Sequence, residues 1–168
     1  MNQTAFTVRP ARLEDAAGVT EIYNQGIEDR IATFETRLRT VDEIRSWFDQ
    51  PKPFVVVIDA DGEVAGYAVS FEYADRCCYV GIGEFSVYVR RSHRGRGVGA
   101  VAMTALIEAA TEAGYWKLLS RIFPENTASL ALMQSKGFRT VGTHEKHGKL
   151  EGVWKDTVLV ERLLEPNL

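Results

Sequence analysis

The sequence predicts an α/β fold, a mixed central β-sheet with helices on both faces. Apolar residues recur at helical spacing in some segments and at strand spacing in others. The segments follow the order β-α-α-β-β-β-α-β-α-β-β. That order combines hairpins with one β-α-β crossover, so the sheet must hold both antiparallel and parallel neighbours.

Residues 6–9 make a short strand that ends at Pro10. Leu13, Ala16, Ala17, Val19, Ile22 and Tyr23 then recur at helical spacing, with Asp15 in the first turn. Residues 31–36 are irregular. Thr40 and Glu43 have the spacing of a capping box and open a helix through Trp47 and Phe48, which Pro51 and Pro53 end. Residues 54–59 are apolar and β-branched, and Asp61-Gly62 turns the chain into a second strand over 64–71. A third strand, 80–89, carries Gly81 and Gly83.

Beyond it, Val98, Val101, Ala102, Ala105, Leu106 and Ala109 lay one apolar stripe along a helix that stops at Gly114. Residues 117–122 read as a strand buried between helices. Residues 127–136 read as a helix closed by Gly137, and 141–147 and 154–162 as the last strands. No repeat, low-complexity tract or linker interrupts the series, so 1–168 reads as one domain.

Composition narrows the function. Of 168 residues, 45% are hydrophobic and 26% charged, as in ordinary globular proteins. A net charge of −3 gives no bulk attraction to nucleic acid. Met1 to Val8 lack the basic flank and apolar run of a signal peptide, and the longest apolar stretch, 54–58, is far too short to cross a bilayer. Cys77 and Cys78, the only cysteines, are adjacent; they cannot staple the fold and do not suggest a metal site. A cytoplasmic protein with two reduced thiols is expected.

Chemistry concentrates in Val87-Tyr88-Val89-Arg90-Arg91-Ser92-His93-Arg94-Gly95-Arg96-Gly97-Val98-Gly99-Ala100. A strand runs into a basic, glycine-rich loop, and the loop opens a helix. Glycines let successive backbone N–H groups approach an anion, and the helix N-terminus adds roughly half a positive charge. The stretch is built to cradle a pyrophosphate. A P-loop would need Gly-Lys-Ser/Thr where this chain has Gly99-Ala100-Val101. Residues 95–100 satisfy the dinucleotide pattern G-x-G-x-x-A, but five residues separate them from the strand, and hairpins precede it.

Arg94-x-x-Gly97-x-Gly99 after a Val-Tyr-Val strand resembles the coenzyme A signature of the GNAT superfamily of N-acetyltransferases. Val8-Arg9-Pro10-Ala11, Ala32-Thr33-Phe34-Glu35, Glu84-Phe85-Ser86-Val87-Tyr88-Val89, Asn126-Thr127-Ala128-Ser129 and Gly137-Phe138 fall in the family's order over nearly the whole chain. Together they look like the branch acting on phosphinothricin, methionine sulfoximine and arsinothricin. The resemblance implies the GNAT fold, with acetyl-CoA as co-substrate and no metal. It implies that the backbone of Val87, Tyr88 and Val89 pairs with the pantetheine arm. Gly95, Arg96, Gly97, Val98, Gly99 and Ala100 would take the pyrophosphate, and Asn126 the far end of the cofactor. Asn126 also suits a helix N-cap. A homodimer through the late strands is implied as well.

Glu84 occupies the family's general-base position. Alkylamines are mostly protonated at neutral pH and must lose a proton before attacking a thioester, and a carboxylate near the acetyl carbon accepts it. A glutamate in the apolar run 82–89 is expected to be drawn out of water. Many relatives carry a tyrosine or histidine seven residues after Asn126 as general acid; here the residue is Met133, which has no proton to donate. Arg76, beside Tyr73, suits an acidic head group, because a guanidinium matches carboxylate geometry bidentately. Phe34 is a candidate wall of the same site, and Lys146 and His147 are possible further contacts. Residues 148–152 lack the tyrosine common in the branch, whereas Trp154 and Asp156 keep its pattern.

The expected activity is direct acetylation of the amino group of a small L-amino-acid analogue with a second acidic group. Acylation of a polyamine or protein N-terminus, a non-catalytic acyl-CoA sensor on the same fold and an NADP-binding oxidoreductase remain as alternatives.

Overall fold

The computed structural model describes residues 6–168. The reading of Met1 to Val8 as no leader rests mostly on residues outside that range. Seven strands form one sheet in the order β1-β2-β3-β4-β5-β7-β6: β1 Thr7–Pro10, β2 Phe54–Ile58, β3 Val64–Glu72, β4 Ile82–Val89, β5 Lys117–Ile122, β6 Arg139–Leu150 and β7 Val153–Leu163. Only β4 and β5 run parallel. The helices are α1 Ala16–Asp29, α2 Val41–Arg45, α3 Val98–Glu112 and α4 Thr127–Ser135.

Each face of the sheet supports its own core, and strand alternation sorts the residues between them. In β2, Val55 and Val57 pack under α3 with Ala102, Met103, Leu106 and Leu118. Phe54 and Val56 pack under α1 and α2 with Val19, Ile22, Ile44 and Tyr67. A strand buried on both faces needs no polar alternation, which is why 54–58 reads as an unbroken apolar run. Along α3 the buried line is Val98, Ala102, Leu106 and Ala110, four residues apart, with Met103 beside it.

Several boundaries differ from expectation. Leu13 is exposed and lies in a short 3₁₀ turn, and α1 begins only at Ala16 and runs on to Asp29. The Thr40 capping box forms as expected: Thr40 Oγ1 accepts from the Glu43 N–H at 3.3 Å and Glu43 Oε2 from the Thr40 N–H at 2.8 Å. The helix it opens tightens to 3₁₀ geometry at Ser46–Phe48. Strand β4 starts at Ile82, two residues later than predicted. Within it Gly83 serves close approach, since a Cβ there would stand 2.1 Å from Ser70 Oγ and 3.0 Å from Leu118 Cδ2.

The largest difference is at the end of the chain. Strand β6 continues past His147 to Leu150, and Glu151 (φ +50°) and Gly152 (φ +83°) form the tight turn into β7. Two positive φ values in a two-residue loop match the twist of the flanking strands. Segment 148–152, read from sequence as a departure from a family pattern, is thus a hairpin.

Candidate active site

The site begins where two strands part. Strands β4 and β5 pair only at Ile82↔Lys117, Gly83↔Leu118 and Glu84↔Leu119, although β4 runs on to Val89 and β5 to Ile122. On its other edge β4 stays paired with β3 as far as Gly66↔Val89. From residue 85 onward the β5 side of β4 therefore offers an open strand edge into a widening fork. Open backbone donors and acceptors seek partners, and an extended guest fits such an edge.

A cavity of ≈ 60 Å³ lies in the fork, walled by Phe85, Ser86, Val87, Ser120, Arg121 and Phe123. Ala32, Val87, Tyr88, Asn126 and Ser129 line both it and a larger cleft of ≈ 410 Å³, so the two spaces adjoin. The cleft runs along β4 to the glycine loop and the first turns of α3 and α4.

The loop has the geometry of an anion cradle. Gly95 (φ +72°) and Gly97 (φ +84°) adopt left-handed backbone, and a Cβ on either would meet nothing within 4 Å. Gly97 is the N-cap of α3 and supplies no side chain to the first N–H groups of the helix. A helix end without a side-chain cap, opening on the cleft, suits an anion such as a pyrophosphate.

Ion pairs to α1 hold the loop in place. Arg91 and Arg94 both reach Asp29, each at 2.7 Å, and Arg90 pairs with Glu21 at 2.7 Å. Burial pushes the Asp29 carboxyl up, but Arg91 and Arg94 outweigh it and hold it below its ordinary value. Part of the loop's positive charge is therefore spent on the acidic end of α1.

Nine of the ten predicted cofactor residues line the cleft: Val87, Tyr88, Val89, Gly95, Gly97, Val98, Gly99, Ala100 and Asn126. The tenth, Arg96, is not among the wall residues; its guanidinium stands 5.7 Å from the centre of the Phe6 ring. Asn126 lines the cleft, and its Oδ1 caps α4 by accepting from the Ser129 N–H at 3.2 Å. The Tyr88 ring stacks on Tyr67 at 5.7 Å and meets Tyr23 edge-on at 5.2 Å, and burial holds its phenol pKa far above the usual range. Gly26 makes room for that ring, because a Cβ there would come within 2.5 Å of it.

Glu84 lies at the root of the fork, but not drawn out of water as its apolar neighbours suggested. Its side chain is 33% exposed and forms an ion pair with Arg121 of β5. The reason is alternation: Gly83 and Phe85 face the α3 core, and Glu84 faces the opposite side, where the strands separate. Arg121 is the residue sequence reasoning missed. Strand β5 read as buried between helices, yet Leu118 and Ile122 face the core while Arg121 is exposed. The segment does not alternate cleanly, since Leu119 shares the parity of Arg121 and is buried, so no local signal marked Arg121.

The proposed substrate residues are less tightly gathered. Phe34 meets Phe123 edge-on at 4.9 Å and abuts Gly148 of β6, so it backs a wall of the fork. Tyr73 and Arg76 lie in the β3–β4 connection at the end of β4 away from the glycine loop. Both pack on Tyr79, each 5.6 Å from its ring centre, and neither lines the fork or the cleft. His147 is not a lone histidine; it stacks on His144 at 4.6 Å. Met133 is 1% exposed in the core beneath α3 and α4. Cys77 and Cys78 are exposed free thiols. Among the described residues no helix is long and apolar enough to cross a membrane, and no group of three or more His, Cys, Asp or Glu could hold a metal ion.

A forked sheet beside a glycine cradle is an architecture with known relatives. Residues 19–138 match the Acetyltransferase (GNAT) family. The L-methionine sulfoximine/L-methionine sulfone acetyltransferase of Pseudomonas paraeruginosa is 32% identical, over 95% of each chain. The phosphinothricin N-acetyltransferase of Streptomyces coelicolor is 33% identical, over 94% of this chain and 95% of its own. A Salmonella typhimurium protein solved with its cofactor acetyl-CoA superposes with a TM-score of 0.91 at 28% identity, covering 96% of this chain and 95% of its own. The chain belongs to the GNAT family of acetyltransferases. It is an acetyl-CoA-dependent N-acetyltransferase.

Proposed function

We propose that this enzyme acetylates the amino group of a small L-amino-acid analogue carrying a second acidic group, of the phosphinothricin, methionine sulfoximine or arsinothricin type. Support comes from the substrates in the names of its relatives and, above all, from Glu84 at the root of the fork. When bound, acetyl-CoA supplies the thioester carbon that an amine attacks. Residues 95–100 hold the pyrophosphate, and the open edge of residues 87–89 holds the pantetheine arm. A backbone N–H on that edge stabilises the thioester oxygen as charge develops on it. Glu84 accepts the ammonium proton, directly or through water, so that the lone pair can attack. The new C–N bond forms as the C–S bond breaks. Met133 has no proton for the departing thiolate, which takes the second proton shed by the attacking nitrogen, directly or through solvent.

Arg76 serves the distal acidic head group in this reading, with Tyr73 beside it and Phe34 behind the wall of the fork. Replacing Arg76 with alanine is expected to raise the KM for phosphinothricin roughly ten- to a hundredfold, the worth of one charge-assisted hydrogen bond. Acetyl-CoA binding should stay as it was. An unchanged KM would return Arg76 to a surface role on Tyr79.

In this reading two copies associate through β6 and β7, where Val141, Val153, Trp154 and Leu163 are 43–62% exposed. The activity itself is tested by following thiol release from acetyl-CoA with a panel of amines. The largest kcat/KM should fall on amino-acid analogues with a second acidic group. Faster turnover of spermidine or of peptide N-termini would overturn the substrate assignment.

A further inference from the structure

We infer that Arg121 and Glu84 together form a template for the zwitterion of an α-amino acid, Glu84 taking the ammonium and Arg121 the α-carboxylate. The inference rests on the amino-acid reading above and supplies the residue that distinguishes an amino acid from any other amine.

Four observations point to it. Arg121 walls the fork cavity together with Phe85, Ser86 and Val87, the stretch of β4 against which the acetyl group would lie. Glu84 is the only hydrogen-bond partner of the Arg121 side chain among the described residues, which leaves most of its five N–H donors for a ligand. The two side chains are 34% and 33% exposed, so a solute reaches both. Finally, Glu84 stands in the last β4–β5 pair, opposite Leu119, and Arg121 lies two residues further along β5, so their ion pair crosses the start of the fork.

Stability does not explain such a pair. Exposed ion pairs contribute little to folding, whereas a guanidinium on a cavity wall with a carboxylate in contact with it is suited to recognition. The ammonium and carboxylate of an α-amino acid hang from a single carbon, so their partners must also be adjacent. Glu84 and Arg121 are in contact. Arg76 is not among the partners of Glu84 and lies off the cavity wall, which suits it to a distal group and not to the α-carboxylate.

The arrangement also couples recognition to catalysis. With no substrate bound, Arg121 occupies an oxygen of Glu84. A substrate carboxylate engages the planar guanidinium bidentately and competes for it, which frees the Glu84 oxygen to receive the ammonium proton. Four charges meet and sum to zero, so no unpaired charge is left in the fork. An amine without a carboxylate leaves Arg121 on Glu84, and a site built to bond a missing group rejects such an analogue strongly.

The test is a cycle that crosses Arg121→Gln with removal of the substrate charge. L-methionine sulfone is the substrate, because its only acidic group is the α-carboxylate, and its α-carboxamide is the comparison. The parent enzyme should prefer the acid by roughly ten- to a hundredfold in kcat/KM. In Arg121→Gln the acid should fall while the amide holds or rises, because Glu84 is no longer occupied, so that the preference for the acid is lost. The cycle cancels the difference in basicity between the two amines.

Arg121→Lys keeps the charge without the planar fork and should retain part of the preference. Acetyl-CoA binding by calorimetry checks that each variant folds, and Arg121→Lys carries the comparison if Arg121→Gln does not. An equal loss on both substrates would make Arg121 a positioning residue for Glu84 and overturn the inference alone. A parent enzyme that acetylates neither compound but turns over polyamines would overturn the amino-acid reading itself.

Discussion

Glu84→Gln is expected to lower kcat by about 10²–10⁴-fold at neutral pH, the usual worth of general-base assistance. Glutamine preserves the shape and still accepts a hydrogen bond from Arg121, but it takes no proton. The ion pair it removes is about one-third exposed on each side, so folding should change by about 1 kcal/mol or less. Acetyl-CoA binding should persist, since the cradle lies at the other end of β4. The decisive readout is the pH profile. As pH rises, more substrate arrives as free amine, and the deficit should shrink. A constant deficit would mean that Glu84 positions the substrate without moving its proton. Parental activity at pH 7 would sink the assignment and leave water or Glu35, which is paired with Arg39 at 2.6 Å, as the base.

Gly97→Val should abolish tight acetyl-CoA binding by placing a branched side chain where the pyrophosphate approaches. One lost charge-assisted hydrogen bond costs about 1.5–3 kcal/mol, or roughly ten- to a hundredfold in Kd, and the cradle stands to lose more than one. The structure adds a complication that the sequence concealed. Gly97 has φ +84°, so any side chain also strains the backbone, by about 1–2 kcal/mol. Gly62 provides the control: it too has φ +84° with nothing within 4 Å of a built Cβ, but it lies in the β2–β3 turn. Gly62→Val should lose similar stability and bind acetyl-CoA normally. If calorimetry finds unchanged binding in Gly97→Val, the cradle has been misassigned.

Local signals were read correctly where local physics decides the outcome. The Thr40 capping box, the Asp61-Gly62 turn and the glycine loop before α3 each involve residues within a few positions of one another. Their conformations follow from caps, glycine and helix ends, which neighbouring residues specify. Eight of the nine cleft-lining positions named from the sequence were legible for the same reason: they fall in one contiguous stretch, 87–100.

Most of what differs from expectation involves partners distant in sequence. The exposure of Leu13 depends on what packs above it, and the length of β6 depends on its pairing with β7. Arg121, 37 residues beyond Glu84, had no local signature that set it apart from any strand arginine.

By itself the sequence determined the element order, the mixed sheet, the glycine loop that opens α3 and the strand that bears Glu84. Only the tertiary structure decided that β4 and β5 part company after three pairs, and so which residues face the fork. Capping, turn geometry and periodicity act over a few residues and are written into neighbouring positions. The point at which two parallel strands diverge is set by the sum of packing on both faces of the sheet, and no short stretch of chain encodes it. That divergence turns an ordinary strand glutamate and a strand arginine into a pair that a substrate can meet.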